Sequence, residues 1–257
     1  MDVKERSDAI IELLTKNDTV DVATLSESLK VSEMTIRRDL DRLEQQNILI
    51  RVHGGAKLMS GYMYEAPLNA RLKSEYNEKK RMGEFAASLI ESGDTIAIDD
   101  SSTTLAIVPF IKVPCTVVTN HLNVAAALAE NDQVEVILLG GKMRKVSMSF
   151  TGAVMEETLQ KFHVSKTFLS AMSLKVGEGI YDASIEEAHT KQAFMAAADE
   201  TYFLFDHTKV ETRSFYKVCD IENVSGIITD EYLEKEKDQD NLKKNCEEKN
   251  TAFYLVK

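Results

Sequence analysis

The chain has 257 residues, 44% hydrophobic and 28% charged, with 11 Gly, 3 Pro and a formal net charge of -11. That length predicts one small and one larger domain, and the acidity excludes attraction of the whole surface to nucleic acid, so any such contact must be a local patch. No apolar run approaches a bilayer span, the start of the chain alternates acids and bases where a signal peptide would be apolar, and Cys115, Cys219 and Cys246 are too far apart for a disulfide framework or zinc knuckle. A cytoplasmic protein with reduced thiols, no membrane partner, no cofactor and no metal is expected.

Ile10, Ile11, Leu13 and Leu14 recur at helical spacing and predict a first helix over residues 3–16, ended at Asn17-Asp18. Asp21 is placed to cap a second short helix with Ala23, Leu25 and Leu29 on one side. Ser32 is placed to cap a third, in which Ile36, Leu40 and Leu43 form the buried stripe while Thr35, Arg37, Arg38 and Arg42 reach outward. Residues 48–52 then read as a strand, His53-Gly54-Gly55 as a tight turn and residues 56–59 as a return strand, a wing that carries Arg51, His53 and Gly54.

Two helices across a short turn, the second with hydroxyls and arginines near its start, meet the geometric demand of a helix-turn-helix. Arginine forks bond guanine edges or phosphate, and the hydroxyls of Ser32 and Thr35 bond phosphate or a base beside the helix N-terminus. The plainer alternative is a solvated helix face on which Arg37, Arg38 and Arg42 pair with Asp39, Asp41 and Glu44. Residues 1–58 are not basic as a whole, since nine Lys/Arg face eleven Asp/Glu, but the cations gather on the reading helix and the wing.

Residues 58–74, containing Gly61 and Pro67, break periodicity and mark a linker between a DNA-binding domain at 1–57 and a second domain at 75–257. A helix over residues 77–90 is followed by apolar strands TIAID, CTVVT, VEVILLGG, KTFLSA, YFLFD and SGIITD, with amphipathic LNVAAALAEN, VMEETLQKF and IEEAHTKQAFMAAA between them. The alternation implies an α/β domain with a mostly parallel sheet. The tail reads as a solvated helix around Leu233 and Leu242 before a last strand, TAFYLV.

Ligands of such sheets gather beyond the carboxyl ends of the strands, and those ends are polar here. Asp99 leads into Ser101, Ser102, Thr103 and Thr104 before a short helix; CTVVT ends at Thr119-Asn120; VEVILLGG ends at Gly141, with Arg144 three residues on; YFLFD ends at Asp206, followed by Lys209. Arg144, Lys209 or Lys80 would neutralise a phosphate, and Asp99 and Asp206 would accept sugar hydroxyl protons. Each motif also has a structural reading: a Ser/Thr run caps a helix, Gly-Gly turns a chain, Asp-x-x-Lys is a surface pair. His121, His163, His189 and His207 show no metal spacing.

VSEMTIRRDLDRLEQQNILIRVHGGA resembles the DeoR family of bacterial transcriptional regulators, with Asn47 where that family usually has glycine. DDSSTT, VVTN, LLGGKMR, DHTKV and the Gly152 and Glu186 regions resemble its sensor domain, which is similar in fold to ribose-5-phosphate isomerase. The resemblance implies a winged helix-turn-helix that binds double-stranded operator DNA, joined to a domain that senses a phosphorylated sugar through the positions above and Glu186. FLSAMS, EEAHTKQ and DHTKV are similar to the lactose phosphotransferase repressors, which implies tagatose 6-phosphate, although Ser170-Ala171-Met172 departs from the glycine-rich sequence of many relatives. A repressor acting as a homo-oligomer, dimer or tetramer, is therefore expected, because joining two weak reading heads raises avidity by roughly 10² to 10⁴. A sugar-phosphate isomerase carrying a DNA-binding domain is the rival class, with Asp99 or Asp206 as its base.

Overall fold

The apolar spacings at the start of the chain close into a three-helix core with a wing. The computed structural model describes residues 2–17, 19–45, 48–58, 65–232 and 236–257, and the chain divides into two units, 1–74 and 75–257. The first runs α1 (Val3–Asn17), β1 (Thr19–Asp21), α2 (Val22–Leu29), α3 (Glu33–Gln45), β2 (Leu49–Val52), β3 (Gly55–Leu58) and α4 (Leu68–Lys73). Ile10, Ile11 and Leu14 of α1 pack with Ile36, Leu40 and Leu43 of α3 in one buried cluster. Asp21 caps α2 by accepting from the Thr24 amide at 2.8 Å, and Ser32 accepts from the Thr35 amide at 3.2 Å where α3 begins.

Two features depart from the sequence reading. Ala23 is exposed and Val22 is buried in its stead, because Val22, at i, i+3 and i+7 with Leu25 and Leu29, shares their face of the helix and Ala23 does not. The wing has a third strand: β1, too short to show a period, pairs antiparallel with β3, giving the order β1-β3-β2. Gly55 is required at that crossing, since a Cβ there would lie 2.4 Å from the Val20 carbonyl oxygen. The expectations for Asp18, Asn47, Met59, Gly61 and Leu233 fall outside the described residues.

Beneath the outward face of α3, Asp39 is buried and accepts hydrogen bonds from Arg6 of α1 and from Arg42. This pairing ties α1 to α3 through charges that the core cannot hold singly.

The second unit runs α5 (Tyr76–Ser88), β4 (Thr95–Ile98), α6 (Ser102–Leu105), β5 (Cys115–Thr119), α7 (Leu122–Leu128), β6 (Val134–Leu138), β7 (Lys142–Arg144), β8 (Ser149–Thr151), α8 (Ala153–Leu159) and β9 (Val164–Leu169). It continues with β10 (Ser173–Lys175), β11 (Gly179–Asp182), α9 (Ile185–Ala196), β12 (Ala198–Phe205), β13 (Tyr216–Cys219), β14 (Gly226–Asp230), α10 (Glu236–Glu248) and β15 (Ala252–Val256). Seven strands form the expected parallel sheet, in the order β15-β14-β12-β9-β4-β5-β6. Alternate residues serve opposite faces. Ala97, Val118, Leu169 and Phe203 join one core, while Ile96, Ile98, Val117 and Leu204 join the other. The β7-β8 hairpin and the antiparallel sheet β10-β11-β13 are additions that strands of three and four residues did not announce.

The order of the sheet decides where a ligand would sit. The chain lays down β4, β5 and β6 in one direction, returns to place β9 against the free side of β4, and then builds β12, β14 and β15 the other way. A crevice forms beyond the carboxyl ends of strands at such a reversal. Among the described residues no helix is long and apolar enough to cross a membrane.

Replacing Asp39 by alanine leaves Arg6 buried without its carboxylate, and the loss expected is about 3 kcal/mol. Amide exchange should speed up through α1 and α3 and remain unchanged in the seven-stranded sheet.

Candidate functional site

Two surfaces of different chemistry emerge, one in each unit. On the first, Ser32, Thr35, Arg37 and Arg38 lie on the outward side of α3, with His53 and Gly54 at the tip of the wing. The arginines are not equivalent. Arg37 reaches Glu33 at 3.2 Å, and Arg51 pairs with Asp41 of α3 and lies 3.4 Å from the Gly55 carbonyl. Arg42, expected to point away from the core, turns back onto Asp39 instead, because three residues of helix bring it over that buried carboxylate. Arg38 is exposed and forms no ion pair among the described residues. The alternative pairing with Asp39, Asp41 and Glu44 thus describes Arg42 but neither Arg37 nor Arg38 among the described residues.

In the second unit the polar residues converge where the sheet reverses. Asp99, fully buried at the end of β4, accepts from the Ser170 amide at the end of β9 at 3.0 Å, from the Ser101 amide at 3.1 Å and from the Thr104 hydroxyl at 2.6 Å. Its fourth partner is Lys191 of α9, buried, with Nζ at 3.1 Å from Asp99, 3.6 Å from Asp182 and 3.9 Å from both Asp100 and Glu187. Burial alone would favour the uncharged amine, but Asp99, Asp182, Asp100 and Glu187 together outweigh it and hold the ammonium pKa well above its ordinary value. Arg144 forms an ion pair with Glu187 at 2.5 Å and donates to Ser147 at 2.9 Å, and Ser149 donates to Asp100 at 2.7 Å. Four carboxylates and two cations therefore form one buried charge cluster.

Lys191, Asp100, Asp182, Glu187, Ser149 and Ser170 escaped the sequence reading as site residues. One signal was present: Glu187, Lys191 and Phe194 occupy i, i+4 and i+7 of α9, so a charged pair sits on an apolar stripe. Nothing local to the others betrays their meeting.

The remaining candidates divide. Ser101 is the N-cap of α6, and its hydroxyl takes the amides of Thr103 and Thr104 at 3.1 and 3.0 Å, so the expected anion cradle is partly closed by its own first residue. Ser102 is buried beside it. The Thr103 hydroxyl and the Asn120 side-chain oxygen are buried without a hydrogen-bond partner among the described residues. Thr119 donates to the Ile98 carbonyl at 2.7 Å, a structural role, and Gly141 packs so closely that a Cβ would stand 2.8 Å from the Thr151 carbonyl oxygen. Glu186, in the first turn of α9, reaches the β7-β8 hairpin, where Thr151 donates to it at 3.0 Å and Lys142 at 3.3 Å. Burial pushes its carboxyl up, but those two donors with Lys142 and Arg144 leave it below the usual range.

Asp206 and Lys209 adjoin the cluster: Lys209 donates to the Ser170 hydroxyl at 3.0 Å, and Thr208 donates to Asp206 through its hydroxyl and its amide. Burial pushes the Asp206 carboxyl up, yet the Lys209 ammonium, the Thr208 bond, Lys79 and His207 bring it below the usual carboxylate range. Lys80 is exposed and the structure does not bring it here; Lys79, one residue earlier and so about 100° around α5, is buried and supplies the charge. His207 bonds Asp230 at 2.7 Å, stacks on Tyr232 with ring centroids 3.8 Å apart, and lies 3.9 Å from Glu75 at the start of α5.

The DeoR C terminal sensor domain family matches residues 74–231, and the DeoR-like helix-turn-helix domain family matches residues 6–61. The chain belongs to the DeoR family. Its DeoR relatives include the HTH-type transcriptional repressor GlcR of Bacillus subtilis, 34% identical over 88% of each chain. The lactose phosphotransferase system repressor of Staphylococcus aureus is 34% identical over 92% of this chain and 95% of its own. Among solved structures, ribose 5-phosphate isomerase A of Methanocaldococcus jannaschii aligns at 12% identity and a TM-score of 0.40, over 53% of this chain and 55% of its own. As a DeoR protein the chain is a DNA-binding regulator, with residues 6–61 as its helix-turn-helix domain.

The lowered pKa of Asp206 ties stability to pH. A carboxyl whose native pKa lies below its unfolded value contributes fully above the unfolded value, near pH 4, and loses that contribution as pH falls through the native one. Urea denaturation of the wild type should show this acid decline, and Lys209→Met should make the protein less stable at pH 7 with a shallower decline below pH 4.

Proposed function

We propose that the chain represses a sugar-catabolism operon and releases its operator when a phosphorylated sugar enters the crevice between the ends of β4 and β9. The observation that carries this reading is the buried charge cluster at the reversal of the sheet, where Asp99, Asp100, Asp182 and Glu187 surround Lys191. Carboxylates already oriented by buried donors accept sugar hydroxyl protons without reorganisation. Lys209, Arg144 and Lys79, which takes the part expected of Lys80, face the phosphate. Ser102, the unpartnered Thr103 hydroxyl and Asn120 supply further polar contacts.

The signal reaches the reading heads through α5. It begins directly after the first unit in the chain, and Lys79 and Glu75 tie its first turn to Asp206 and His207. A ligand that changes the Asp206–Lys209 contacts changes that turn. A coupling of about 1–3 kcal/mol lowers operator affinity roughly 5- to 150-fold. The operator-bound form is a homo-oligomer, dimer or tetramer, because one wing domain alone offers few contacts. Repressor is the name that GlcR and the lactose phosphotransferase system protein both carry. It supports binding over turnover, and the absence of isomerised product from a panel of sugar phosphates is the corresponding expectation.

A thermal-shift panel of sugar phosphates that includes tagatose 6-phosphate tests the ligand class, since a ligand at 100 times its Kd stabilises by about 2.7 kcal/mol. Arg38→Ala should weaken operator binding by about 5- to 150-fold and leave the thermal shift intact. Asp206→Ala should bind operator normally and ignore the sugar phosphate. Equal damage to both activities by both substitutions would contradict the proposal.

A further inference from the structure

Met34 is 61% exposed in the first turn of α3, a large apolar side chain on a helix face that is otherwise polar. A lone exposed apolar residue is ordinary on a protein surface, so exposure by itself decides nothing. Its position is what matters. The core stripe of α3 is complete without it, in Ile36, Leu40 and Leu43, each fully buried. One helical turn on, at i+4, stands Arg38, whereas Arg37 and Arg42 are engaged by Glu33 and Asp39. The outward face therefore presents an uncommitted guanidinium and a thioether side by side.

The major groove of DNA displays one apolar group, the C5 methyl of thymine, and one edge that accepts a guanidinium fork, the N7 and O6 of guanine. We propose that Met34 is a specificity-determining residue that reads a thymine methyl beside the guanine read by Arg38. Four residues of helix rise about 6 Å, and successive bases are about 3.4 Å apart, so the thymine lies within two base pairs of that guanine. Methionine offers no donor to phosphate, and its flexible thioether adapts to the methyl without a fixed rotamer. The inference rests on the reading of α3 as the DNA-contacting helix. Thr35, exposed in part beside Met34, carries a methyl of its own and is the competitor for this role.

The test uses the full chain and a duplex selected by it from a random library. Each thymine of that duplex is replaced singly by deoxyuridine, which removes a methyl and nothing else, and Kd is measured for wild type, Met34→Ala and Thr35→Ser. Arg38→Ala locates the guanine by the position at which base preference relaxes. Wild type should lose about fourfold at one thymine within two base pairs of that guanine, the worth of one buried methyl. Met34→Ala should bind the thymine and deoxyuridine duplexes equally at that position, with affinity for random DNA and melting temperature unchanged. The inference is overturned if wild type tolerates every deoxyuridine, if Met34→Ala keeps the wild-type ratio, or if only Thr35→Ser erases it. A chain that enriches no sequence at all overturns the DNA-reading role itself and this inference with it, a distinguishable failure.

Discussion

A buried ammonium among four buried carboxylates is the constraint on which the sensing unit depends. Lys191 meets Asp99, Asp100, Asp182 and Glu187 within 3.9 Å, and these come from the end of β4, the end of β11 and one face of α9. None of these charges is tolerable alone in the interior. Together they hold three elements at the point where the sheet reverses, which is where an open α/β sheet takes its ligand. Under the proposed function, the charges that secure the fold there are also those a polyol engages. Removing or re-aiming one of them disturbs structure and recognition at once.

The first unit uses charge in another way. It satisfies two of its three reading-helix arginines internally, Arg37 on Glu33 and Arg42 on Asp39, and leaves Arg38 to the solvent. An overall charge of -11 is compatible with DNA binding under such an arrangement, because what meets the groove is one selected face. Under the proposed function, a modest coupling from the sensing unit suffices to release the operator.

Periodic features were legible in the sequence. The stripe of Ile36, Leu40 and Leu43, the caps at Asp21 and Ser32, and the six core strand segments each follow from local spacing, and the folded chain has them. Convergent features were not. Lys191 reaches Asp99 across 92 residues, and Ser170 reaches it across 71, separations over which no local pattern carries information. The Arg42–Asp39 bond was one of two alternatives in the sequence, and what anchors it, the burial of Asp39 against Arg6 from another helix 33 residues away, was not legible there. Lys79 and Lys80 differ only in helical phase, and a shift of one residue moved the charge from solvent to Asp206. Strands of three residues, β1, β7, β8 and β10, are too short to show a period at all.

Under the proposed function, the Lys191 ammonium, caged by carboxylates, lies at the place where the phosphorylated sugar binds. The NH₃⁺ resonance of Lys191 in isotopically labelled protein, assigned by its loss in Lys191→Arg, reports on that group directly. It should remain protonated well past the ordinary lysine range as pH is raised, and it should shift on addition of the sugar phosphate that releases operator DNA, over the same concentration range. A Lys191 signal that deprotonates below that range, or that stays unmoved while the operator is released, would contradict the account.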